Sequence, residues 1–175
     1  MNALKMPQST TKILTTETSP LEPGMLGDRP FWVILDATPT TLIPKRLEQD
    51  DIEAVSLYKG RADERHWDIA PYLARLDPNL LRWIKDMLWH GPWGIVLSAD
   101  QTLEDLRNHF RKFLMVKDLD GDQMYFRFYD PRVLPVFLGS CKERELEDFF
   151  GPIDAFWAKQ QQSDQFNVMR RTASG

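Results

Sequence analysis

The chain has 175 residues, 42% apolar and 27% charged, with 22 basic against 26 acidic side chains and a net charge of −4. That length suits one domain with tails, and this composition excludes a collagen, a coiled coil and a wholly disordered chain. The acidic balance shows no basic stripe of the kind a nucleic-acid binder carries, so no nucleic-acid partner is expected.

The one cysteine, Cys141, has no partner for an internal disulfide, which fits a reducing compartment. Lys5 is followed by no apolar h-region, so no signal peptide is expected, and no apolar run approaches the ~18 residues of a membrane helix. A cytoplasmic location without membrane association is the expectation.

Residues 1–30 carry seven Ser or Thr and the prolines Pro7, Pro20, Pro23 and Pro30. So little apolar area does not offset ordering entropy, and the stretch reads as a flexible N-terminal arm. Phe31 opens a buried strand through Ala37, from its aromatic and β-branched content. Thr38 or Thr40 then caps a helix over 41–50, and Ala54–Tyr58 is a short strand. Ile69–Leu73 is extended, and Pro71 makes it an edge strand or a loop.

Asp77-Pro78 is a helix start, with Asp77 at the N-cap and Pro78 where no backbone donor is missed. Leu80, Leu81, Ile84 and Leu88 give that helix its apolar face, and His90-Gly91-Pro92 ends it. Trp93–Ser98 is a strand. Thr102 precedes a helix whose inner face is Leu103, Leu106, Phe110 and Phe113. Asp120-Gly121 between two apolar runs predicts a hairpin, with strands over 113–117 and 124–129. Short helices follow over 132–138 and 143–150. Ile153, Phe156 and Trp157 share a helical spacing, and residues 158–175 read as a polar C-terminal tail.

The fold class is therefore α/β or α+β: a mixed sheet of about five strands with a hairpin, covered by helices, over a domain of residues 31–157.

Few residues fit a catalytic or metal pattern. Counting Asp118 as the first calcium-loop position, Gln123 stands where glycine is required and Tyr129 where glutamate is. His66, His90 and His109 form no zinc-binding pair, so neither a metal nor a cofactor is expected. Lys142 and Arg144 stand near Cys141, where they would lower the thiol's pKa, and His109 is the one candidate base for it. Glycine-rich phosphate loops and the nucleophile elbow are absent from the sequence.

The most specific segment is Tyr125–Leu134. Strand alternation would put Arg127 and Tyr129 on one face, with Phe126, Phe128 and Asp130 on the other. A charge in so aromatic a segment needs a partner, and an arginine, Arg127 or Arg132, can grip Asp130 at the turn around Pro131. Two readings stand together: an ion-paired corner that locks the fold, or a partner-binding motif.

Several motifs accompany this one in order. They are Ile69-Ala70-Pro71-Tyr72-Leu73, Trp93-Gly94-Ile95, His109-Phe110-Arg111, Asp120-Gly121, Arg127–Leu134 and Phe149-Phe150-Gly151-Pro152-Ile153. The ordered set resembles the bacterial domain-of-unknown-function family number four-one-two-three, the type VI secretion adaptor chaperones of the VasW/Tap/TEC group. The resemblance implies a non-enzymatic, cytoplasmic protein that binds the N-terminal region of a cognate effector and loads it onto the VgrG spike. It singles out His109, Arg127, Tyr129, Asp130, Pro131, Arg132, Gly151 and Pro152 as structural or partner-binding residues. Longer relatives carry a helical lobe after the Phe-Gly-Pro motif, where 23 residues follow Pro152 here. Arg61, Arg65 and Trp67, in a loop, are further candidates for partner contact. The alternative is a small hydrolase built on His109 and a carboxylate.

Overall fold

The computed structural model describes residues 12–16 and 29–171. In chain order its elements are β1 (Lys12–Thr16), β2 (Phe31–Asp36), α1 (Leu42–Gln49), β3 (Ala54–Ser56), α2 (Arg61–His66), β4 (Pro71–Arg75), α3 (Pro78–Met87) and β5 (Gly94–Ser98). After these come α4 (Leu103–Arg111), β6 (Met115–Lys117), β7 (Gln123–Tyr125), α5 (Leu134–Ser140), α6 (Glu143–Phe150), β8 (Ala155–Lys159) and β9 (Phe166–Arg170). The fold is α+β. One seven-stranded sheet runs β1-β9-β8-β5-β2-β4-β3, and β6 and β7 form a separate two-stranded ribbon. Every strand pair is antiparallel.

Period-two alternation sends neighbouring side chains of β2 into two different cores. Trp32 and Ile34 join Leu73, Ile95, Leu97 and Phe156 on the face covered by α4, α5 and α6. Val33 and Leu35 join Ala74, Val96, Trp157 and Val168 on the face covered by α1 and α3. Because both faces are covered, the central strands β2, β4, β5 and β8 are apolar up to a polar last residue: Asp36, Arg75, Ser98 and Lys159. The helix starts follow local chemistry. Asp77 accepts hydrogen bonds from the Asn79 and Leu80 N–H groups, both at 2.8 Å, and Thr102 accepts one from the Asp105 N–H at 3.1 Å. Gly94 opens β5 because β2 passes so close that a side-chain carbon there would fall on the Ile34 carbonyl oxygen.

Several segments differ from the sequence expectation. Pro71 begins an interior strand, between β2 and β3, rather than an edge. As the first residue of β4 it still accepts through its carbonyl, from the Leu57 N–H at 2.9 Å. The strand expected over 124–129 stops at Tyr125, because Phe128 and Tyr129 are successive and both buried, which a pleated strand with one covered face does not allow. Ile153, Phe156 and Trp157 do not share a helix. Phe156 and Trp157 point into opposite cores from β8, and a strand covered on both faces has no alternation to reveal it. The stretch expected as a polar tail holds β9, whose Phe166, Val168 and Met169 are buried.

Within residues 1–30, Lys12–Thr16 is the strand β1, paired with β9. The remainder of the expected arm up to Asp28 lies outside the described residues. Among the described residues no helix is long and apolar enough to cross a membrane.

Candidate functional site

β2 ends in Asp36, a fully buried carboxylate at the close of an otherwise apolar strand. Burying that charge without partners would be costly, and two donors meet it. Thr38 donates its backbone N–H to Oδ1 at 3.0 Å, and the Arg127 guanidinium forms an ion pair with Oδ2. The Arg127 side chain remains 40% exposed. Burial pulls its pKa down, but the hydrogen bond and charge of Asp36 outweigh that and raise it. Tyr58 and Tyr129 lie alongside and share a hydrogen bond, and burial is the leading cause that raises both hydroxyl pKa values. Tyr125 covers Tyr58 from the ribbon, with ring centroids 4.8 Å apart.

Arg132, rather than Arg127, grips Asp130. Its Nε and Nη2 donate to the two carboxylate oxygens at 3.0 and 2.7 Å, and its backbone N–H donates to Oδ1 at 2.8 Å. Burial would raise the Asp130 pKa, and the Arg132 bonds and charge hold it below the ordinary value of 3.8. Asp130 and Pro131 are buried, whereas the Arg132 side chain is 57% exposed. In both pairs the acid is interior and solvent meets the guanidinium. The Asp130 carbonyl also accepts from the Val133 and Leu134 N–H groups, which fixes the turn into α5. Tyr129 does lie near Arg127, but through the turn rather than through a shared strand face.

His109 is buried on α4, with its ring against Phe110 and Phe113. Its Nε2 lies 2.7 Å from the Phe149 carbonyl oxygen, so it serves as the donor there. Burial pushes its pKa below the ordinary 6.5. Gly151 ends α6 at φ +47°, and a side-chain carbon at that position would stand 2.5 Å from His109 Cε1. Glycine is thus required both by the backbone and by the imidazole. Pro152, next in the chain, is exposed. Burial and the charge of Glu145 raise the Cys141 pKa, which reverses the lowering expected from Lys142 and Arg144.

Arg61 and Arg65 are exposed on the short helix α2 rather than in the expected loop, and Trp67, just beyond it, is 46% exposed. The three are not part of the Asp36–Asp130 corner. Three features escaped sequence reasoning: the Arg111 contacts, the separate ribbon, and Asp36. Arg111 reaches from α4 to donate to the Ser56, Leu57 and Tyr58 carbonyls, at 3.2, 3.0 and 2.8 Å, and so ties down the end of β3. The ribbon β6–β7 is exposed along both strands and presents Met115, Val116, Leu119, Met124 and Tyr125 to water. Asp-Gly located the hairpin, but its separation from the main sheet has no local signature. The lone charge closing the apolar run of β2 was the available signal for Asp36.

Among the described residues no three His, Cys, Asp or Glu side chains gather within reach of one metal ion. The family model described as "Domain of unknown function (DUF4123)" matches residues 31–148. Neither a curated protein nor a solved structure matches the chain.

Proposed function

The chain belongs to the DUF4123 family, and from that premise we propose that it is a cytoplasmic adaptor that binds an effector of a type VI secretion system and loads it onto the VgrG spike. The observation that carries the reading is the β6–β7 ribbon. Isolated two-stranded ribbons are marginal in water, and this one has three residues per strand and a fully exposed Leu119 at its turn. Val116 and Met124 on one face of the ribbon, Met115 and Tyr125 on the other, and Leu119 at its turn all leave apolar surface in water, which suits a protein that covers the ribbon with a partner. The two half-exposed guanidinium groups, each tethered by a buried carboxylate, add pre-ordered arginine anchors of the kind that dominate interfaces.

The placement of His109 supports a structural role for it. Its Nε2 is committed to the Phe149 carbonyl, and its ring is enclosed by phenylalanines. A base needs reach to a substrate proton, which this geometry does not favour.

The test is affinity purification of the full chain from its native bacterium. Co-elution of one effector and a VgrG protein is expected. Elution of the chain alone, with turnover of a substrate by the purified protein, would overturn the reading.

A further inference from the structure

Among the described residues the main sheet ends in β3 on the side away from β1, and a groove of about 430 Å³ lies beside that edge. One wall is α1, through Pro44, Leu47 and Glu48; the other is Trp67 with Tyr72. Ala54 and Ser56 form the floor. Glu53 accepts from the Arg75 N–H and Leu57 donates to the Pro71 carbonyl, so the main-chain groups of alternate residues 53, 55 and 57 face β4. By the same alternation the N–H and carbonyl of Ala54, and the N–H of Ser56, turn to the side where the sheet has no further strand among the described residues. The Ser56 carbonyl on that side is occupied by Arg111.

We propose that this edge takes an extended segment of a partner protein as an eighth strand, apolar at alternate positions and carrying a Lys or Arg. Three features choose that occupant. The outward-facing N–H and carbonyl of Ala54 and N–H of Ser56 supply ladder bonds to a strand of any sequence. The groove lies on the same face of the sheet as Ala54, so every second side chain of an added strand enters it, against Leu47, Ile52 and the half-exposed Trp67. The charged residues lining the groove are Glu48 and Asp51, both exposed, and neither has an ion-pair partner among the described residues. A cationic side chain complements them. The inference rests on the adaptor reading, and specifies how the partner is held.

Ala54→Pro is the discriminating variant. The N–H it removes faces outward, so no bond to β4 is lost, and edge strands accept proline. Random twelve-residue peptides displayed on phage are panned on the full chain, then tested on wild type, Ala54→Pro and Glu48→Lys. The expected result is enrichment of alternating apolar peptides with Lys or Arg. On the wild type they bring new exchange protection at the Ala54 and Ser56 amides, and their binding falls at least tenfold in each variant. Peptides that bind wild type and Ala54→Pro equally, or no enrichment at all, would overturn the proposal. So would a concentration-dependent dimer abolished by Ala54→Pro, which would give the edge to a second copy. If Ala54→Pro still co-purifies the effector and VgrG, the edge proposal fails while the adaptor reading stands. If peptides bind at the edge but no effector or VgrG co-purifies, the adaptor reading fails instead.

Discussion

Arg127 reaches back across 91 positions to pair with Asp36, a carboxylate that no solvent touches. The pair joins the end of a central strand to the turn before α5, and it sits beside the bonded hydroxyls of Tyr58 and Tyr129. Removing the guanidinium leaves a buried charge with only the Thr38 N–H. Fully buried pairs cost roughly 3–5 kcal/mol to break and exposed ones about 0–1 kcal/mol. With Arg127 partly exposed, Arg127→Met is expected to cost about 2–3 kcal/mol in urea unfolding. The double variant Asp36→Asn with Arg127→Met is expected to be less unstable than the sum of the two single changes. Additive losses would show that the two side chains do not act as a pair.

Asp130→Ala removes the acceptor that orders the turn around Pro131 and strands three Arg132 donors. A loss of roughly 1–3 kcal/mol is expected, seen as a lower melting temperature. The pH dependence has a definite sign. The folded pKa lies below 3.8, so this contribution is present above that value and is lost as pH falls through the folded value. A melting curve that overlies the wild type would remove the structural role.

His109 adds a loss of the same sign at higher pH. Its folded pKa is depressed below 6.5, so below that pH the unfolded chain takes up a proton that the folded chain refuses. Stability is therefore full above about pH 6.5 and declines as pH drops below it toward the folded value. His109→Gln should flatten that part of the profile. Gly151→Ala drives a methyl group into the imidazole and places alanine at φ +47°. A cost of about 2–4 kcal/mol is expected from clash and backbone strain together, measured by denaturant unfolding.

What could be read in the sequence was what local chemistry settles. Asp77-Pro78 marked the start of α3, and the Asp36-to-Phe31 run marked β2. Asp120-Gly121 marked the ribbon turn, where Asp118 accepts from the Asp120 and Asp122 N–H groups. The corner's Asp130–Arg132 pair was legible because the partners are two residues apart. The Arg127–Asp36 pair was not, since nothing in local spacing joins residues so distant. β8 and β9 were missed for a related reason. Trp157 and Phe156 serve different cores, so the pattern that separates strand from helix is erased by burial on both faces.

Leu119 stands clear of the fold at the ribbon turn. Leu119→Asp is expected to change stability by no more than about 0.5 kcal/mol, as for other surface substitutions. The same change should sharply reduce effector retention in co-purification. A variant that melts like wild type and retains the effector in full would place the partner surface elsewhere.

The adaptor claim is tested most directly by deleting the gene in its native bacterium and following each secreted effector of the type VI apparatus. The account predicts that one effector disappears from the medium while the apparatus still fires with the others. Loss of every effector together would make the protein a component of the machine, and unchanged secretion of all of them would contradict the account outright.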